Sequence, residues 1–455
     1  MKGNSLISAL RYGGPVAWIS VILMGFGNII AGQFIKGLIF LAIEVAVIWY
    51  MFFIPSTAIT GGGLFWLKKL ITLGDVPAQE VYDEDMMVYV TTPGDESRLI
   101  LLYAVATIFI ILAFAVMWRA SIRSGYEAMS YRRVGMKAPS FWADIKALFD
   151  GNVHKMLMSP PFLCLIVFTI VPLVYMILMA FTNYDKQHMT MFTWVGLDNF
   201  KSLFGSGSQI SGQFWTVLGW TLIWAFFATF LNFFFGTFVA MIINRPTTRL
   251  KGLWRTIFSL TIAIPQFVSL LIIRSMFQAE GIVNLTLRDW GMIAADESLP
   301  FLSNYTWARV LVIVINLWVG IPYTIMQVTG ILKNIPADLY EAARIDGANV
   351  AQQFIHITLP YMIFVMTPYI ITSFTGNINN FNVIYLLTGG GPSTDAGASA
   401  GKTDLLVTWL YKLSVDQLNY KLAAAIGILT FVTLAVVSLV TYRSTGSYKD
   451  EEGFK

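Results

Sequence analysis

The 455 residues could fill several soluble domains, but 56% are hydrophobic, only 12% are charged, and mean hydropathy is +0.66. Soluble domains carry about a quarter charged residues, so repeated apolar runs of roughly 20 residues indicate a polytopic membrane protein instead. The formal charge of +4, from 30 Lys and Arg against 26 Asp and Glu, is too small to imply nucleic acid; its placement in loops is what informs.

Lys2 and Arg11 precede the first apolar run, no small-residue cleavage site closes it, and the N-terminus is expected uncleaved. The run from Gly14 to Ile30 is Gly-rich and is followed by Gln33 and Lys36, so it is expected in or dipping into the interface, while Gly37 to Phe53 crosses. Residues 54–98, with Asp83, Glu84, Asp85, Asp95 and Glu96, read as a small external excursion. Leu99 to Trp118 is the next span. Behind it lie Arg119, Arg123, Arg132, Arg133, Lys137, Lys146 and Lys155, a cytoplasmic stretch by the positive-inside rule and a surface for anionic membrane lipid.

Pro160-Pro161 opens a span to Phe181, which holds the one cysteine, Cys164, expected as a small packing residue. The stretch 192–204 is aromatic-rich and external. Spans follow at about 216–243, 256–277, 308–330, 361–387 and 422–441. The loop 244–255 carries Arg245, Arg249, Lys251 and Arg255 and belongs inside, whereas 278–307 carries Glu280, Asp289, Asp296 and Glu297 and belongs outside. This alternation puts 331–360 inside, the Gly-rich loop 388–404 outside, and a tail with Arg443 and Lys449 inside: eight spans, both termini cytoplasmic.

Nothing resembles a catalytic centre. His154, His188 and His356 are scattered without a second ligand at metal spacing, so no metal, cofactor or enzymatic activity is expected. Ala396 to Thr403 imitates a phosphate-binding loop, but Ala396 stands where Gly is needed and the loop is external. Asn284 and Asn304 sit in N-x-T sequons that carry little weight.

Two stretches carry function. The first follows Asn334-Ile335-Pro336-Ala337-Asp338, a helix start, with Leu339, Ala342, Ala343 and Ile345 on one packing face, a turn at Gly347, and a second short helix that Pro360 ends. A solvated loop between spans is the bland alternative that the pattern alone leaves open. The second is polar and lies at bilayer depth: Thr372, Ser373, Thr375, Asn377, Asn379, Asn380 and Asn382, with Gly376 and Pro368 suggesting an interrupted helix and Leu317 to Tyr323 a similar Gly/Pro break. Uncharged amides, hydroxyls and aromatic faces suit a neutral polyhydroxylated ligand; the same groups also serve as hydrogen-bonding glue between helices, and chemistry alone allows both. An ion-coupled secondary transporter would place charged relays within spans, where only Arg274, near an outer end, stands out.

Glu341, Ala342, Ala343, Asp346, Gly347 and Ala348, followed by Ile357, Leu359 and Pro360, closely resemble the EAA loop of permease subunits of ATP-binding-cassette (ABC) importers. From about 158 to 442, LWVGIPY (317–323), NNF (379–381) and LLTGGGP (386–392) extend the resemblance to the maltose/maltodextrin-type permeases. That resemblance implies an all-α integral membrane protein with a six-helix permease core (156–445); the apolar runs and loop charges add two N-terminal transmembrane helices within 1–155 and a cytoplasmic tail (446–455). The resemblance also implies a coupling helix at 331–360 seated on an ATPase, and a sugar site lined by Val319, Gly320, Tyr323, Ser373, Gly376, Asn377, Asn380 and Asn382. The resembling permease carries an aromatic residue at the position of Gly376 and an aliphatic one at Asn382, and it has a large external insertion that residues 182–215 lack. The implied partners are a second homologous permease, two ATPase subunits and an extracellular solute-binding protein delivering an oligosaccharide, a maltodextrin foremost.

Overall fold

The computed structural model describes residues 6–57, 60–83, 88–92, 94–205, 207–245, 247–393 and 397–444. Lys2, Glu84, Asp85, Ala396, Lys449 and the tail from 446 lie outside that set. Contacts divide the chain into two units, 1–196 and 197–455. Among the described residues seven helices are long and apolar enough to cross a membrane, and a bent pair makes an eighth.

In the first unit, Gly14 (φ +69°) and Gly25 (φ +80°) break the N-terminal run into three short helices, Leu6–Tyr12, Pro15–Ile22 and Phe26–Ile30. None is long enough to span. The turn at Gly25 presses on the Phe34–Phe52 helix, where an added Cβ would lie 2.2 Å from the Gly37 carbonyl. Side chains take the N–H groups that the turn leaves unpaired: Met24 N–H donates to Glu44 Oε2 (2.8 Å), Gly25 N–H to Ser121 Oγ (2.8 Å) and Gly27 N–H to Ser20 Oγ (2.9 Å). Arg133 donates to the carbonyls of Tyr12 and Gly13, and Arg132 to that of Ile30, so both cations sit at helix C-termini.

Two expectations change here. Glu44 is a charged residue well inside a span and only 7% exposed, so Arg274 is not the sole exception. Cys164 is exposed rather than packed, because the Val153–Met179 helix that carries it buries none of its residues. That helix also starts before Pro160-Pro161 and runs through them, with a widened turn at Ile166–Ile170.

The Ser97–Arg133 helix has 37 residues, about 55 Å at 1.5 Å each, and so exceeds a hydrocarbon core of about 30 Å. The described residues of segment 54–98 hold more regular structure than its polar composition suggests. It forms a helix, Gly63–Ile71, and an antiparallel hairpin pairing Gln79 with Thr92 and Asp83 with Val88. Trp66 stacks on Tyr103 (4.9 Å), Lys69 pairs with Asp95 (2.7 Å), and Trp194 Nε1–H donates to the Leu70 carbonyl (2.7 Å).

The second unit is built on two helices, Gln209–Asn244 and Tyr305–Asn334, that approach closely at small residues. A Cβ at Gly236 would lie 2.5 Å from Thr324 Cβ, and one at Gly320 would lie 2.0 Å from Asn232 Nδ2. One buried cluster holds Trp224, Leu270, Val312, Ile384 and Leu387, and another Ala240, Ile325, Val328, Met362 and Met366. Tyr305–Asn334 runs unbroken through Gly320 and Pro322, so the expected Gly/Pro break is absent: Gly320 serves close helix approach, and Pro322 is buried.

The expected single span 256–277 is instead two helices, Lys251–Ala263 and Gln266–Met276, bent by 88°. Pro265 removes a donor and pushes Ile264 to extended backbone (ψ 125°), and the halves pack on different partners, Tyr305–Asn334 and Phe381–Thr388. Helix Leu359–Ile378 likewise runs through Pro368 and Gly376; its break comes at Asn379–Asn380, before Phe381–Thr388.

The described residues of the Gly-rich loop after Thr388 are tied together around one carboxylate. Asp404, fully buried, accepts from Gly401 N–H (2.7 Å), Thr408 Oγ1 (2.8 Å) and Lys412 Nζ (2.6 Å). Trp220 Nε1–H donates to the Thr403 carbonyl (3.1 Å), and the Arg309 guanidinium, 4.3 Å over the Trp220 ring, donates to the Lys402 carbonyl. In the 278–307 loop, the hydrogen bond and charge of Arg288 hold the Glu280 carboxyl below its usual range, and the sequon residue Asn284 is buried and bonded to the Gln278 and Leu299 carbonyls.

Candidate functional site

The 88° bend opens a cleft of about 170 Å³ beside the Tyr305–Asn334 helix, lined by Thr261, Pro265, Gln266, Ser269, Trp318, Val319 and Tyr323, among others. Asn382 reaches its rim and donates to Gln266 Oε1 (3.1 Å), linking the residues just beyond the two helix breaks. Tyr323 is half exposed, so its phenol is available to a ligand. The lining is aromatic, aliphatic and amide or hydroxyl, without a charge.

The predicted sugar residues do not all meet there. Val319 and Tyr323 line the cleft and Asn382 bonds its lining residue Gln266, whereas Gly320 sits against Asn232. Ser373 is half-buried, and Gly376 is exposed with open space where a Cβ would stand. Asn377 is buried: its Nδ2 donates to Thr229 Oγ1 (3.0 Å), its Oδ1 accepts from Asn380 (3.3 Å), and its carbonyl accepts from Trp224 Nε1–H (2.9 Å). Asn380 Oδ1 caps the Phe381–Thr388 helix through Val383 N–H (3.2 Å). Those two amides therefore hold the break together. Gln266 and Trp318 join the lining although sequence reasoning assigned neither; the Pro265 break was the available signal for Gln266.

The loop between the spans is built as two short helices around Gly347. Helix Ala337–Ile345 ends with Ala348 N–H bonded to the Ala343 carbonyl (2.9 Å) and Gly347 N–H to that of Arg344 (3.1 Å). This is a Schellman cap, and it requires the left-handed backbone that Gly347 adopts (φ +79°). Asn349 and Gln352 then form a capping box, and Tyr340 Oη bonds Thr358 Oγ1 (2.8 Å), fastening the loop to the next span. Pro360 does not end the second helix. The backbone continues from Val350 through a widened turn at Phe354–Thr358, which relieves the clash of the proline ring with the preceding turn.

Among the described residues nothing buries the expected packing face: Ala337–Ile345 buries no residue, and Ile345 is 87% exposed. Glu341, Ala342, Asp346 and Gly347 are exposed and Ala343 half-buried. Ala343, Asp346 and Gly347 border a notch of about 330 Å³ with Gln352, Gln353 and His356.

Residues 232–445, which contain both the cleft and this loop, match the family described as the binding-protein-dependent transport system inner membrane component. Over 440 residues the chain is 33% identical to the galactooligosaccharides transport system permease protein of Bacillus subtilis strain 168, covering 96% of this chain and 99% of that protein. The chain belongs to this family. The permease is also 31% identical over 441 residues to the maltodextrin transport system permease protein of Streptococcus pneumoniae serotype 4, covering 95% and 96% of the two. A bacterial ABC transporter involved in the import of the acidic polysaccharide alginate shares its fold at a TM-score of 0.54 and 25% identity, over 66% of the permease and 96% of that chain. The permease is thus the multi-pass membrane component of an ABC sugar importer, of maltose-permease type.

Proposed function

We propose that this permease forms half of the pathway of an ATP-driven oligosaccharide importer in the bacterial cell membrane. It pairs with a second homologous permease and two ATPase subunits that hydrolyse the ATP, and an extracellular solute-binding protein delivers the sugar. The observation that carries the reading is near full-length similarity to oligosaccharide permeases together with an uncharged amide and aromatic cleft. Maltodextrins are the first candidate substrate; galactooligosaccharides are the second, favoured by the Bacillus relative. In this reading Val319, Tyr323, Ser373, Gly376 and Asn382 face the sugar, and Gly320, Asn377 and Asn380 fix the backbone that presents them. Glu341, Ala342, Ala343, Asp346 and Gly347 form the ATPase-coupling surface, through which ATP-driven closure alternates access to the cleft.

Tyr323→Ala and Asn377→Ala separate the two classes of residue. Loss of one hydrogen-bonding contact to a sugar costs about 1–3 kcal/mol. Uptake per assembled complex therefore falls roughly 5- to 150-fold in Tyr323→Ala, while ATPase activity stimulated by the loaded binding protein survives. Asn377→Ala instead lowers the amount of assembled protein, since Thr229 and Asn380 lose their partner. Normal uptake per complex in Tyr323→Ala sinks the cleft assignment, and failure of any ATPase to co-purify in mild detergent sinks the importer reading.

Charge placement orients the chain with both termini, 119–155, 244–255 and 331–360 inside, and 54–98, 278–307 and 388–418 outside. In a Cys164→Ser background, a cysteine at exposed Asn349 is expected to resist a membrane-impermeant thiol reagent in intact cells and to react after permeabilisation. Labelling from outside overturns this orientation.

A further inference from the structure

The Phe381–Thr388 helix has two unlike faces. Val383, Ile384 and Leu387 are 0% exposed and pack into the core. Phe381, Asn382 and Tyr385 are spaced to share the other side. There the Phe381 and Tyr385 rings stack, with centroids 4.7 Å apart and planes at 22°. Tyr411 stands at steep angles to both, with centroids at 5.0 and 5.2 Å. Arg274 lies on the Gln266–Met276 helix, which packs directly against Phe381–Thr388. Through the Asn382–Gln266 bond this three-ring platform adjoins the cleft, which Gln266 also lines.

Aromatic residues at a membrane boundary ordinarily form an interfacial belt against lipid. The neighbours here argue otherwise. The Asn382–Gln266 amide pair is exposed, and among the described residues the Arg274 guanidinium has no ion pair. Such groups are costly against hydrocarbon and belong beside a polar path. Rings flanked by amides, phenols and a guanidinium meet both needs of a pyranose: an apolar surface for its C–H face and hydrogen-bonding groups for its hydroxyls.

We propose that Phe381, Tyr385, Tyr411 and Arg274 form a second sugar subsite beside the cleft. It holds a further pyranose ring of a longer chain and sets the preference for chain length. The inference rests on the oligosaccharide reading above and adds a residue set that reading does not require.

The test uses cells carrying the whole transporter, with uptake normalised to assembled complex. Labelled maltose and maltopentaose form one series, galactobiose and galactotetraose the other, and the wild-type protein selects the series. Phe381→Leu keeps an apolar side chain without the ring, Arg274→Gln keeps a polar one without the charge, and Tyr385→Ala removes a ring. Uptake of the long sugar falls about tenfold or more through KM, while the disaccharide stays within about twofold. Equal loss for both lengths, or no change for either, overturns the subsite and leaves the importer intact. Wild-type failure with both series refutes both candidate substrates, and the subsite as assigned here falls with them.

Discussion

Glu341→Lys abolishes sugar uptake while leaving the permease in the membrane at its normal amount. Glu341 is exposed and, among the described residues, makes no ion pair, so the substitution removes no contact that holds the chain together. Exposed substitutions of this kind usually change stability by no more than about 0.5 kcal/mol. The loss comes instead from charge reversal on a surface proposed to seat in an ATPase groove, where like charges are strongly disfavoured. Gly347→Leu gives the same loss by another route. There is open space around Gly347, but its backbone (φ +79°) costs about 1–2 kcal/mol for a residue with a Cβ, and the Schellman cap loosens. Uptake, membrane amount and ATPase co-purification are measured together. Wild-type uptake by either variant, with the ATPases present, removes the coupling assignment.

Lys412→Met is the most destabilising single change expected. Its ammonium is the counter-charge to Asp404, whose side chain is 0% exposed. Removing one partner of a buried pair leaves an uncompensated charge, at about 3–5 kcal/mol. Asp404 also fastens Gly401 and Thr408, so the whole 388–412 segment loosens. Thermal unfolding of the detergent-purified permease reads the effect. The double variant Asp404→Asn, Lys412→Met recovers a large part of the loss, because no charge is then stranded. If Lys412→Met melts with the wild type, Asp404 is not held by that pair.

The long apolar runs and the loop charges were legible because hydropathy and the placement of Lys and Arg act locally. Glu44 was not, since one carboxylate in a 19-residue apolar helix barely alters its hydropathy. Proline was misleading for a different reason. Pro265 ends a helix, whereas Pro322 and Pro368 sit inside helices, and the choice rests on which distant helices each side packs against. The same holds for the polar stretch. Its composition gave the right residues for a ligand pathway or for glue, but Asn377 meets Thr229, 148 residues away, and no local pattern announces that pairing. The knot at Asp404 was hidden by its glycines, which read as a slack loop until the carboxylate is seen closing it.

The three N-terminal helices are fastened by residues made much later. Gly25 meets Ser121 across 96 positions, and Tyr12 meets Arg133 across 121. At about 5–20 residues per second, the ribosome supplies Arg133 roughly 6–24 s after Tyr12. During that interval the Gly25 amide and the Tyr12, Gly13 and Ile30 carbonyls lack these partners, while the Met24 and Gly27 amides can already pair with Glu44 and Ser20. The fastenings to Ser121, Arg132 and Arg133 therefore form only once the Ser97–Arg133 helix has been made, so the earliest segment is the one whose placement is completed late.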